Sequence, residues 1–112
     1  MPVQDPRDLN PTFSALFNAG DVRGLVRLYA PDAVFHASSG PVTGREAIHA
    51  EYTDMIAGSP GLELRTRRIL SSGDTALITT DDATSTGVSV EVARRQPDGT
   101  WLYVIDEPRL SR

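Results

Sequence analysis

Residues 62–107, LELRTRRILSSGDTALITTDDATSTGVSVEVARRQPDGTWLYVIDE, decide the architecture, because from Leu62 onward the apolar residues tend to recur at every second position. A period of two belongs to a strand with one face buried. Four segments carry it, near 62–70, 75–86, 88–95 and 101–107, separated by Ser72-Gly73-Asp74, Gly87 and Pro97-Asp98-Gly99. Glycine supplies a positive φ, proline presets a turn dihedral and aspartate bonds its own backbone, so each separator can reverse the chain. The spacing predicts an antiparallel meander.

The half that precedes it has the period of a helix. Asn10-Pro11 reads as an N-cap followed by proline at the first helical position, Phe13, Leu16 and Phe17 share a face, and Gly20 supplies the left-handed residue that ends such a helix. Asp21 is placed to cap a second helix, whose stripe of Val22, Leu25, Val26, Leu28 and Tyr29 stops before Pro31. A short β-compatible stretch, 33–37, leads into a turn at Ser38-Ser39-Gly40-Pro41. Thr43-Gly44-Arg45-Glu46 fits a capping box opening a third helix, which presents Ile48, Tyr52, Met55 and Ile56 and ends at Gly58. Helices first and hairpins afterwards define an α+β fold in which the helices cover one face of a curved sheet. Residues 1–9 read as an N-terminal arm, 10–108 as a single domain and 109–112 as a C-terminal tail.

Composition removes several function classes. At 112 residues the chain makes one module. Fifteen acidic residues against eleven arginines give a net charge of −4 without a basic stripe, so nucleic acid is not an expected partner. With no cysteine and no lysine there is no disulfide, thiolate nucleophile, Schiff base or P-loop lysine. No apolar run approaches the roughly 20 residues of a membrane span, and Met1-Pro2-Val3-Gln4-Asp5 lacks the marks of a signal peptide; the expected location is cytoplasmic, with no membrane partner. Two histidines and scattered carboxylates have no ligand spacing, so neither metal nor cofactor is expected.

The run Asn18-Ala19-Gly20-Asp21, the stretch Leu28-Tyr29-Ala30-Pro31-Asp32-Ala33-Val34-Phe35, and Thr43-Gly44-Arg45-Glu46-Ala47-Ile48 together resemble the first half of the SnoaL-like, or ketosteroid isomerase-like, branch of the nuclear transport factor 2-like superfamily. Arg94-Arg95-Gln96-Pro97-Asp98-Gly99-Thr100-Trp101 with Val104-Ile105-Asp106 resembles its C-terminal hairpin. The resemblance implies a cone-shaped curved antiparallel sheet wrapped around N-terminal helices, a cystatin-like α+β barrel, enclosing a pocket used for many purposes.

Carried over residue by residue, the isomerase's carboxylate base falls on Ala37 and its oxyanion-hole tyrosine on Phe13. The resemblance therefore implies a related pocket without the isomerase machinery, and ketosteroid isomerisation is not expected. The neutral acid of that oxyanion hole falls on Glu91, and two supporting tyrosines fall on Tyr29 and Tyr52. Asp106 follows an apolar run on the strand from which SnoaL-like relatives supply a cavity carboxylate or imidazole. His36 neighbours the position of the lost base, and an imidazole is a side chain suited to act as a base. Asp106, Glu91 and His36 are thus the candidate catalytic residues. Phe13, Phe17, Tyr29, Ala37, Tyr52, Val104 and, of the adjacent pair Asp81 and Asp82, Asp81 are the expected pocket lining.

Strand alternation leaves Glu91 open: it faces the cavity if Val88, Val90 and Val92 face a partner, and it is solvated if those valines are core. The first arrangement implies a homodimer through the outer face of the sheet. Two functions remain: cofactor-free acid–base chemistry (isomerase, cyclase or dehydratase) on a small hydrophobic substrate, or a non-catalytic ligand-binding or dimerisation module.

Overall fold

In the computed structural model, which describes residues 2–59, 61–82 and 87–108, the helical half opens with a short 3-10 turn, Pro6–Asp8, that runs directly into α1, Leu9–Asn18. Asn10 is therefore inside the helix and fully buried, and Asp8 occupies the N-cap position. Residues read as an arm are tied down: Val3 is buried, and its carbonyl accepts the Trp101 N–H at 2.7 Å. Gly20, at φ 73°, ends α1 as expected. Its N–H bonds Phe17 O at 3.0 Å and that of Asp21 bonds Leu16 O at 3.0 Å, the paired bonds of a Schellman motif. The Asp21 side chain caps α2, Val22–Val26, by accepting from Gly24 N at 2.9 Å.

Three expectations for the middle of the chain are corrected. Tyr29 does not extend α2; it starts strand β1, Tyr29–Ala37, because proline disfavours the helical region for Ala30 and because Tyr29 aligns with Tyr103 of the last strand. Gly40-Pro41, read as part of a turn, begins strand β2, Gly40–Thr43, so that only Ser38-Ser39 turn the chain. The capping box at Thr43 does not form either. Gly44, at φ 94° and ψ 158°, is the N-cap of α3, Arg45–Ala57, with no side-chain capping bond. Its N–H bonds Ala33 O at 2.9 Å, so sheet pairing sets the entry angle that a capping side chain would have set.

The second half is the meander read from its period: β3, Leu64–Ser72; β4, Thr75–Asp82; β5, Val88–Arg95; β6, Trp101–Glu107. The strand order is β2-β1-β6-β5-β4-β3, with every neighbouring pair antiparallel except β1 and β6, which run parallel. Ala76, Ile78 and Thr80 on β4, Glu91 and Ala93 on β5, and Phe35 and Ala37 on β1 face the helices and are buried. The opposite parity, Leu77, Val92 and Ile105 in register, faces outward. The choice left open at Glu91 thus falls to the arrangement in which the valines face out.

Two bulges shape the inner face. Ala93 pairs with Tyr103 but Val92 pairs with Ile105, leaving Val104 as an extra residue on β6. Strict alternation would send Tyr103 and Asp106 to opposite faces; the inserted residue brings both inside, where both are buried. On β1 the pairing jumps from Tyr29 to Val34, and Pro31 sits in the unpaired stretch where its missing N–H costs no ladder bond. Arg45 Nε closes this gap by donating to Tyr29 O at 2.8 Å.

Gly44 lies in a backbone region essentially closed to other residues. Gly44→Ala is expected to cost about 1–3 kcal/mol of stability, whereas Thr43→Ala, which removes an exposed hydroxyl and methyl group that form no capping bond, should stay within about 0.5 kcal/mol. Urea denaturation of the two variants measures both values.

Candidate functional site

The helices cover only part of the concave face, and the remainder is a cavity of about 680 Å³. Phe13 from α1, Phe35 from β1 and Tyr52 and Met55 from α3 form much of its apolar wall, with Ala37 beside them. Glu91 from β5 and Asp106 and Tyr103 from β6 lie in the same cavity. The aromatic rings are held to one another: Tyr52 meets Phe13 edge-on with centroids 5.5 Å apart and Phe35 at 5.2 Å, and Tyr29 meets Tyr103 at 5.2 Å. Such packing orders the side chains carrying the polar groups.

Glu91 and Asp106 stand directly opposite each other on adjacent strands, 4% and 6% exposed. Asp106 Oδ2 accepts a short hydrogen bond from the Tyr29 hydroxyl and a longer one, 3.4 Å, from Tyr52, whose oxygen lies 2.6 Å from that of Tyr29. Burial and the neighbouring Glu91 charge push the Asp106 carboxyl up to about 7, against the opposing effect of the two phenols. Burial also raises Glu91, although hydrogen bonds from Ser89 and Thr80 hold it back, Thr80 Oγ1 donating to Oε1 at 2.6 Å. The hydroxyls of Tyr29, Tyr52 and Tyr103 are driven well above the ordinary phenol range, first by burial.

The other expected site residues fall as follows. Phe13, Ala37 and Tyr52 line the cavity. Tyr29 lies behind the wall in the core and reaches the site through its hydroxyl bond to Asp106. Phe17 lines a separate depression of about 670 Å³ between the ends of α1 and α3. Val104 is the extra residue of the β6 bulge, buried but off the cavity wall. Asp81 has the outward parity on β4 and lies 3.4 Å from Arg67 Nε; its neighbour Asp82 shares the parity of Thr80 and lines the cavity instead. His36 has the parity opposite to Phe35 and Ala37. It reaches only the rim, exposed and bonded through Nδ1 to Glu107 at 2.7 Å, so it is not brought together with Asp106.

Three polar residues of the site escaped sequence reading. By sequence Asn10 has the residue type of a helix cap, Thr80 is an ordinary strand residue, and Tyr103 is part of the apolar run of its strand. Asn10 Nδ2 donates to Thr80 Oγ1 at 2.8 Å and to Thr66 Oγ1 at 3.0 Å, and the Tyr103 hydroxyl donates to Asn10 Oδ1 at 2.8 Å. Counting inward parity from Ala76 and Ile78 would have flagged Thr80; nothing local marks Asn10.

A curved sheet closed by three helices over a polar-floored cavity defines a cystatin-like, nuclear transport factor 2-like α+β domain. The model of the SnoaL-like domain matches residues 12–111, nearly the whole chain, and the protein belongs to that family. No curated protein sequence matches the chain. Among solved structures, a Thiobacillus denitrificans protein named for the association domain of calcium/calmodulin-dependent protein kinase type II is 19% identical, with 99% of each chain covered and a TM-score of 0.80. A Streptomyces avermitilis protein of the nuclear transport factor 2-like family named for a dehydratase is 20% identical over 92% of this chain and 93% of its own, with a TM-score of 0.73. A Nostoc punctiforme domain of unknown function with a cystatin-like fold is 16% identical over 94% and 75%, also with a TM-score of 0.73.

A carboxyl raised in the folded state contributes stability that is complete below its unfolded value and is lost as pH rises through its folded one. For Asp106 that window runs from 3.8 to about 7. Folding stability should fall across it by on the order of 4 kcal/mol, and Asp106→Asn should remove most of the slope, as read from urea denaturation at a series of pH values.

Proposed function

We infer that the protein is a cofactor-independent acid–base catalyst acting on a small, neutral, hydrophobic carbonyl compound. The observation that carries this reading is the pair of buried carboxyl groups, Glu91 and Asp106, registered opposite each other on the floor of an apolar cavity. A volume of about 680 Å³ suits a ligand of a few fused rings. A carboxyl poised near 7 is divided between acid and carboxylate at neutral pH, which suits it to give and take protons in one cycle. In the reaction this supports, one carboxylate removes a proton from the carbon next to a carbonyl while the neutral carboxyl hydrogen-bonds the oxygen on which charge develops. Returning the proton to another carbon gives isomerisation; expelling a β-hydroxyl as water gives dehydration. The dehydratase name carried by the Streptomyces relative is in keeping with that class.

Deuterium exchange at the α-carbon of 2-tetralone, followed by proton NMR in D2O, tests the reading without knowledge of the natural substrate. The protein should accelerate exchange above the buffer rate, and Asp106→Asn should reduce the acceleration about 100-fold or more. Binding of the ketone with exchange at the buffer rate would instead favour the ligand-binding module.

The outer face supports a homodimer. Leu70, Leu77, Val92 and Ile105 form one row across β3, β4, β5 and β6, with Leu70 59% and Ile105 51% exposed. An apolar row of this length is costly to leave in water, and the Thiobacillus relative is named as an association domain. Sedimentation at micromolar concentration should give twice the chain mass, and Leu77→Glu should reduce it to one; a single-chain mass for the unsubstituted protein rejects the dimer.

A further inference from the structure

The hydrogen bonds around Asn10 have a direction, and the direction ends on one of the two cavity carboxyls. The Tyr103 hydroxyl has one proton and donates it to Asn10 Oδ1 at 2.8 Å. With its oxygen so occupied, the Asn10 amide turns both of its N–H groups to the paired residues of β3 and β4, one to Thr66 Oγ1 at 3.0 Å and one to Thr80 Oγ1 at 2.8 Å. The Thr80 oxygen is thereby an acceptor, and its own proton points to Glu91 Oε1 at 2.6 Å. Ser89, paired with Thr80 across the β4–β5 ladder, also hydrogen-bonds the Glu91 carboxyl. Glu91 thus sits at the receiving end of a chain of donors, which favours its charged form.

Asp106 is served differently. Its bonds come from Tyr29 and Tyr52, two hydroxyls that also lie within hydrogen-bond distance of each other, so that one of their two protons is used between them. Among the described residues the groups facing the pair are Asp82 of β4, Tyr29 and, at the rim, His36 of β1, Glu51 and Tyr52 of α3, and Tyr103 and Glu107 of β6, with no arginine among those that line the cavity. Two charges cannot both be held at this spacing in a buried site without a cation, so one carboxyl keeps its proton.

We propose that Asn10, acting through Thr80, is a positioning residue that decides which carboxyl keeps it: Glu91 carries the charge and Asp106 carries the proton. The inference rests on the acid–base reading only for its consequence, which is a division of labour. Glu91 is then the base that takes a carbon-bound proton, and Asp106 is the acid that meets the carbonyl oxygen. The raised Asp106 carboxyl agrees with this order, since the Glu91 charge is one of its causes.

The test is a carbon-13 NMR titration of the two side-chain carboxyls, which needs no turnover. In the unsubstituted protein Glu91 should ionise at lower pH than Asp106. Thr80→Val, which keeps the volume and removes the donor, should move the Glu91 titration up by about one pH unit and Asp106 down. Thr80→Ser should restore both, and Asn10→Leu should reproduce the valine effect. Asp106 ionising before Glu91 in the unsubstituted protein overturns the proposal whether or not any variant folds. Folded Thr80→Val with both titrations unmoved overturns it as well. Because the titrations are read without substrate, absence of ketone exchange would count against the acid–base reading alone.

Discussion

The extra residue at Val104 is the constraint on which the site depends. A strand presents alternate side chains to alternate faces, so Tyr103 and Asp106, three positions apart, belong on opposite faces of a regular β6. One unpaired residue between Ala93 and Val92 on the partner side resets the alternation and turns both inward. Tyr103 then aligns with Tyr29 across the parallel β1–β6 junction, and Asp106 aligns with Phe35 on one side and Glu91 on the other. The meeting of Tyr103 with Tyr29 and of Asp106 with Glu91 on the inner face depends on this irregularity.

The polar groups drawn inside are tolerated because each is partnered, and among the described residues no buried side-chain nitrogen or oxygen lacks a hydrogen bond. The two sets of partners are separate. Tyr29 and Tyr52 serve Asp106 from β1 and α3, while Asn10 of α1, Thr80 of β4 and Ser89 of β5 serve Glu91. The environment therefore treats two chemically similar carboxyls unequally, which is the condition for giving them different tasks in one reaction. Phe13 contributes no hydrogen bond to either set, and Ala37 contributes no carboxylate, so the polar groups of the cavity come from other positions.

The sheet has two faces with opposite demands. The inner one is closed by helices except where the cavity opens, and the outer one carries Leu70, Leu77, Val92 and Ile105 in one row. No element of the described chain covers that row, and the helices cannot, because all three lie on the concave side.

By itself the sequence determined the four-strand meander and the boundary between the first two helices. The change of period at Leu62, the glycine at position 20 and the cap at Asp21 are local signals, carried by residues that act on their own backbone, and the meander, the end of α1 and the start of α2 follow from them. The resemblance extended this to the fold and marked Glu91, Tyr29, Tyr52 and Asp106. Tertiary structure decided what no local signal encodes. Asn10 is a helix cap by type and a buried amide by position, because α1 starts earlier and carries it onto Thr66 and Thr80. Tyr29 continues a helical stripe by spacing and begins a strand in fact, because pairing with Tyr103 outweighs the end of a short helix. Val104 shares the parity of Asp106 until a bulge against β5 separates them. In each case the outcome depends on a partner strand or helix dozens of residues away, and the energy of that pairing is absent from the segment being read.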